Sequence, residues 1–236
     1  MAGKYLRGAL IAFTETFPIP VPNVIIFQFN PESMTHTWTP ATTNPATPES
    51  TGNPLAITGQ PQESFSFTLV MDATDMIADG DAVETALATA SGVYTRLAAL
   101  EMLLFPTAPP GGGLIGSVTA ALQIGGGSST PTPSQQVPAA QLPTVLFVWG
   151  PGRIVPVRVT SLAITEKLYD ATLLNPTHVE AQLGLRVLTK RELQNVSGPL
   201  ATVANTAYDY SQGLREALAI ANLANAAESI IGMLPL

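Results

Sequence analysis

The sequence predicts a β-rich α+β protein, and three observations predict it. Residues 64–71 alternate, with Phe65, Phe67, Leu69 and Met71 on one face, which is the period of a half-buried strand. From Asp81 to Phe105 the period changes: Val83, Leu87, Ala90, Val93/Tyr94, Leu97 and Leu100/Leu104 recur at three and four, which is an amphipathic helix. Residues 200–234 are alanine-rich, with Val203, Tyr208, Leu214, Leu218, Ala221, Ile230 and Met233 at roughly helical spacing, so a helical arm follows the strands.

Taken in order, residues 4–14 read as a first strand, which Pro18, Pro20 and Pro22 terminate because proline cannot donate to a ladder. Val24 to Phe29 is a run of β-branched and aromatic residues and makes a second strand. Asn30-Pro31-Glu32-Ser33 is a turn, and alternation resumes over Met34 to Thr39. Residues 40–61 are rich in Thr, Pro, Asn and Gly and read as a loop. After the residue 81–105 helix, ended by Pro106, residues 106–143 carry glycine triplets at 111–113 and 125–127 and no charged side chain, which is an uncharged flexible insertion. Leu114–Ile124 is long enough for a hairpin within it. Three more strands are expected at Thr144–Trp149, Ile154–Thr165 and Ala181–Thr189, with Tyr169–His178 connecting the last two. The C-terminal helix is expected to be weakly broken near Gly213.

Composition restricts the function. The chain has 236 residues, a formal net charge of −7 and 11% charged residues, against about 25% in an ordinary soluble domain. Two readings fit: long neutral loops on a Pro/Gly-rich domain, or a surface covered by neighbours, since interface cores are depleted of charge. Ten basic residues give no footprint for displacing counterions from phosphate, so nucleic-acid binding is not expected. The absence of cysteine excludes disulfides, thiolate chemistry and cysteine-based metal sites. The opening Met-Ala-Gly-Lys-Tyr lacks the apolar core of a signal peptide and no apolar run reaches spanning length, so cytoplasmic placement without membrane insertion is expected.

Candidates for chemistry are few. Asp72, Asp75, Asp79 and Asp81 form an acidic cluster without the oxygen spacing and closing glutamate of a calcium loop. Placed between a strand and a helix, they fit capping roles. His36 and His178 have no second imidazole at ligand spacing. No Gly-x-Ser-x-Gly elbow and no phosphate-binding loop is present. No catalytic, cofactor or metal site is expected. The helical arm suits either of two tasks, capping its own domain or docking in a partner's groove.

Three segments, in order, resemble the tube-type domain of contractile injection system proteins, whose longer members carry a LysM module. They are Phe27-Gln28-Phe29-Asn30-Pro31-Glu32-Ser33, Phe65 through Asp75, and Phe147-Val148-Trp149-Gly150 with the stretch Val157–Leu188, including Tyr169, Asp170, Asn175 and Pro176. The resemblance implies two packed antiparallel sheets with a flanking helix, arranged in rings. It implies a tube-type domain over residues 1–192, with the insertion at 106–143, and a helical extension over 193–236 in place of a LysM module. It further implies a non-enzymatic subunit that joins the inner tube to the spike hub in the baseplate of a phage-tail-like particle. The expected partners are further copies in a six-fold ring, the inner tube protein, the spike or hub protein and other baseplate subunits, with assembly in the cytoplasm. Asn30-Pro31 and Trp149-Gly150 are then fold-defining turns. The alternative is a ligand- or carbohydrate-binding β-sandwich, with Trp38 and Trp149 as its aromatic surface.

Overall fold

A computed structural model describes residues 6–14, 21–41, 59–74, 91–105, 142–171, 173–196 and 200–233. The strands are β1 (Ala9–Thr14), β2 (Val21–Ile26), β3 (Met34–Thr39), β4 (Gln62–Asp72), β5 (Val145–Val148), β6 (Ile154–Tyr169) and β7 (Pro176–Val187). The helices are α1 (Tyr94–Glu101), continued by a 3₁₀ turn over Met102–Leu104, α2 (Lys190–Leu193) and α3 (Leu200–Met233). The fold is therefore β-rich α+β. The 106–143 insertion lies outside the described residues except for its last two, as do residues 42–58 of the loop, Asp75, Asp79 and Asp81, and the first part of the helix expected from residue 81.

All strand pairings are antiparallel, in the order β2-β1-β5-β6-β7-β4-β3. The two packed sheets expected from the resemblance are thus one hydrogen-bonded sheet. It is curled: Phe65 and Phe67 of β4 lie 5.4 and 5.5 Å, ring to ring, from Phe147 of β5. A flat sheet would hold these strands roughly 14 Å apart, three steps of about 4.8 Å, because β6 and β7 lie between them. The long strands β6 and β7 carry the bend, and their register shifts between Val159 and Ser161, as at a β-bulge.

The core fills this curl. Phe65, Phe67, Leu69 and Met71 of β4 face Val179, Ala181, Leu183 and Leu185 of β7 and Val145 and Phe147 of β5. The α1 side contributes Val93, Leu97, Leu100 and Leu103 to the same cluster. β5 is buried on both faces, since Leu146 points the other way, into a smaller cluster with Leu188, Leu193, Ala204 and Ala207 beneath α3. That double burial explains why 145–148 reads as a continuous apolar run rather than as alternation.

Several boundaries differ from the sequence reading. Pro22 does not end a strand; it lies inside β2, opposite Phe13. β2 is the edge of the sheet, where a missing N–H costs no ladder bond. β6 runs on to Tyr169 and β7 begins at Pro176, so the expected connection over 169–178 shortens to residues 170–175. Its turn is held by Asp170, whose Oδ2 accepts from the Leu173 N–H at 2.9 Å and whose N–H donates to the Asn175 carbonyl at 2.8 Å. The helix expected to be continuous from 81 to 105 is interrupted at Gly92, which has φ of 58°. A Cβ there would lie 2.5 Å from the Pro176 carbonyl oxygen, so close packing on β7 and a left-handed backbone both select glycine. α3 runs through Gly213 without the expected break.

Candidate functional site

The residues that carry the resemblance meet in space. Phe27 lies 5.7 Å from Phe67 and 6.3 Å from Trp149, and Phe147 lies 6.2 Å from Trp149, ring to ring. Gly8 is pressed against them: a Cβ there would come within 2.7 Å of both the Phe27 and the Trp149 ring. Trp149 is thus a packing residue rather than an exposed ring.

The polar residues of the same segments close gaps in the sheet. Asn30 replaces a strand residue: its Oδ1 accepts from the Gly8 N–H at 2.9 Å and its Nδ2 donates to the Leu6 carbonyl at 2.9 Å. Gln28 does the same across the opening of the curl. Its Nε2 donates to the Asp72 carbonyl at 2.9 Å, and its Oε1 accepts from the Asp72 N–H at 2.9 Å. β3 reaches only as far as Phe67 of β4, so the Gln28 side chain pairs the end of β4 that β3 leaves open. The sequence places Gln28 in the second strand and in the first segment of the resemblance but gives it no role of its own, since a single glutamine carries no periodic signal; the strand ends at Ile26, which leaves the Gln28 side chain to pair with Asp72.

Of the sequence-derived candidates, Asp72 behaves as a cap. Its Oδ1 accepts from the Thr74 N–H at 2.8 Å, and its Oδ2 lies 3.1 Å from His178 Nδ1. His178 Nε2 lies 3.8 Å from Glu180. Lys167 Nζ donates to Glu180 at 2.5 Å and, as the leading cause, holds that carboxyl below its ordinary range. Both nitrogens of His178 therefore face carboxylates rather than a nucleophile. Among the described residues no group of three or more histidines and carboxylates is placed to hold a metal ion.

His36 joins a second network that the sequence reading missed. Its ring stacks on Phe65 at 4.5 Å, and its Nε2 lies 2.8 Å from Glu63 Oε1. The Glu63 side chain is only 4% exposed and accepts from Arg215 of α3 at 2.6 Å on both oxygens. The Arg215 guanidinium also lies over the Trp38 ring at 4.8 Å. A buried carboxylate with two cationic or polar partners from different elements fastens the helix to the sheet. Glu63 and Arg215 are 152 residues apart, and no local pattern connects them.

The rest of the α3 contact centres on one helical face, with polar contacts on its flanks. Ala204 and Ala207 are buried, Ser211 Oγ donates to the Ile154 carbonyl at 2.6 Å, Tyr210 donates to the Pro151 carbonyl at 2.8 Å, and Lys190 Nζ reaches Asp209 at 2.6 Å. The first half of the arm thus caps its own domain. After Arg215 the helix leaves the body, and residues 216–223 are exposed. Between α3 and the sheet lies a cleft of about 550 Å³ lined by Trp38, Gln60, Glu63, Asp209 and Gln212. Trp38 is 43% exposed there. The β6–β7 turn also leaves Leu168, Tyr169, Leu173 and Leu174 exposed, the two outer leucines with positive φ. No helix among the described residues is long and apolar enough to cross a membrane.

No protein-family model matches the chain, and no curated protein matches it.

Proposed function

We propose that the chain is a non-enzymatic structural subunit of a contractile injection system, an adaptor in the baseplate that starts the inner tube and joins it to the spike hub. The observation that carries this reading is the convergence of Phe27, Phe67, Phe147 and Trp149, from three separate segments, on one aromatic cluster beside Gly8. Residues that carry the resemblance to tube-type domains are thereby used as scaffolding, which is the role that the resemblance gives them. The single sheet curls so that β4 and β5 share one core, which supports the reading, and the apolar β6–β7 tip and the exposed stretch 216–223 of α3 are surfaces suited to neighbours.

In this reading the partners are further copies in a six-fold ring, the inner tube protein, the spike or hub protein and other baseplate subunits. Assembly takes place in the cytoplasm, within a phage-tail-like particle. The test is to tag the chain in its native cell, purify it gently, and combine electron microscopy with mass spectrometry. Sheathed particles holding small amounts of the chain, with tube and spike peptides, are expected. An isolated chain without particle peptides overturns the proposal.

A second reading is favoured by the cleft beside α3. An exposed Trp38 flanked by Gln60, Asp209 and Gln212 has the aromatic and polar composition of a sugar-binding surface. Saturable quenching of tryptophan fluorescence by an oligosaccharide, lost in Trp38→Ala, supports it; no response across a carbohydrate panel removes it.

A further inference from the structure

The outer face of the sheet gathers a cluster of hydrogen-bond donors that the core does not use. Arg158 of β6 and Arg186 of β7 are register partners, so their side chains leave the same face side by side. Like charges directly opposite one another destabilise a sheet. Glu192 accepts from Arg186 Nη2, but the exposed Arg158 has no hydrogen bond or ion pair among the described residues. Arg186 Nε is buried and also lacks a hydrogen-bond partner. One carboxylate thus stands against two guanidinium groups.

Hydroxyls flank the pair. The register shift between Val159 and Ser161 leaves Thr160 as the extra residue of a bulge, a device that re-aims side chains. Thr160 and Ser161 are both exposed, and both hydroxyls lie over Gly184. A Cβ at Gly184 would collide with Ser161 Oγ and lie 3.1 Å from Thr160 Oγ1. Gly184 precedes Arg186 by two residues and so shares its face, about 7 Å away. Ser64 of β4, the register partner of Arg186 on its other side, brings a third hydroxyl to that face.

We propose that Arg158, Arg186, Thr160 and Ser161 form a binding site for a tetrahedral oxyanion, either free phosphate or the phosphate group of a small monoester. Guanidinium forks match oxyanions, and the donors here come from two strands and a bulge rather than from one plane. That arrangement suits the divergent oxygens of phosphate better than a flat carboxylate. Ten basic residues in a chain of net charge −7 leave no row of cations for a nucleic-acid backbone, so the ligand is small. The site goes beyond the proposed assembly role and does not depend on it.

The test uses the full-length chain at constant ionic strength, with the thermal midpoint read by circular dichroism. Inorganic phosphate is expected to raise Tm saturably, by about 3–5 °C at tenfold excess over the dissociation constant. Arg158→Gln changes an exposed side chain, should leave the spectrum unaltered, and is expected to abolish the saturable part. Any general stabilisation by phosphate as a salt persists in that variant and is subtracted. Lys167→Gln, roughly 25 Å along the same face, is expected to keep the full response. An equal saturable rise with O-phosphoserine, and none with serine, assigns a monoester; a rise with inorganic phosphate alone assigns the free anion. The proposal is overturned if Arg158→Gln responds like the parent chain, if acetate protects as well as phosphate, or if Lys167→Gln loses as much as Arg158→Gln.

Discussion

Replacing Gln28 by methionine isolates the clasp that closes the curled sheet. Gln28 is 9% exposed, and methionine has the same unbranched length, so the substitution leaves no large cavity. What it removes is the pair of 2.9 Å bonds to the Asp72 N–H and carbonyl. An orphaned buried backbone group costs about 1–3 kcal/mol, and Asp72 is half-buried, so water recovers part of that. The expected loss is about 2–3 kcal/mol, which corresponds to roughly 5–10 °C in Tm for a domain of this size. Urea unfolding followed by circular dichroism should show a lower midpoint at an unchanged slope, because the exposed surface on unfolding is the same. Gln28→Glu gives a second reading of the same bonds. Its carboxylate accepts from the Asp72 N–H but opposes the Asp72 carbonyl, so its loss should shrink when acid protonates it. Stability of Gln28→Met within about 0.5 kcal/mol of the parent chain would refute the clasp, since that is the range of a surface change without a specific role.

The remaining predictions concern other contacts. Gly8→Ala places a methyl against the Phe27 and Trp149 rings and should cost about 1–3 kcal/mol, read by denaturant midpoint; no loss would mean that the aromatic cluster gives way freely. Arg215→Met removes the partner that holds both Glu63 oxygens. It should destabilise the chain by about 2 kcal/mol, less than the ~3–5 for a fully buried pair because Arg215 is one-third exposed, and limited proteolysis should cut near α3 sooner. Burial pushes the Glu192 carboxyl up, but the Thr189 N–H and hydroxyl and the Arg186 guanidinium outweigh it and hold its pKa below the ordinary carboxylate range. A pKa lowered on folding gives stability that is present above the unfolded value and lost as pH falls through the folded one, so this contribution should fade from about pH 5 downward. Glu192→Gln should flatten that part of the acid unfolding profile, and an unaltered profile would contradict the assignment.

Much of the fold was legible because short-range patterning determined it. β3 matches its expected span of 34–39, and β4, expected over 64–71, extends by two residues at its start and one at its end. In β4, Phe65, Phe67, Leu69 and Met71 face the core as the alternation requires. The arm expected over 200–234 is the helix 200–233, since alanine-rich sequence is helical wherever the chain places it. Boundaries failed where the deciding partner was distant. Pro22 was read as a breaker, yet an edge position has no ladder bond to lose, and only the strand order made β2 an edge. Gly92 was read as part of a continuous helix because the clash that selects it comes from Pro176.

The sequence by itself determined which residues alternate, which recur helically, and that no cysteine chemistry is available, because each is a property of residue identity and spacing. Only the tertiary structure decided that the strands form one curled sheet, that Gln28 and Asn30 complete its edges, and that Glu63 binds Arg215 to fasten α3. Those outcomes depend on which distant backbone groups would otherwise be left without a hydrogen-bond partner. Such a requirement arises when the chain closes on itself, and no local pattern records it.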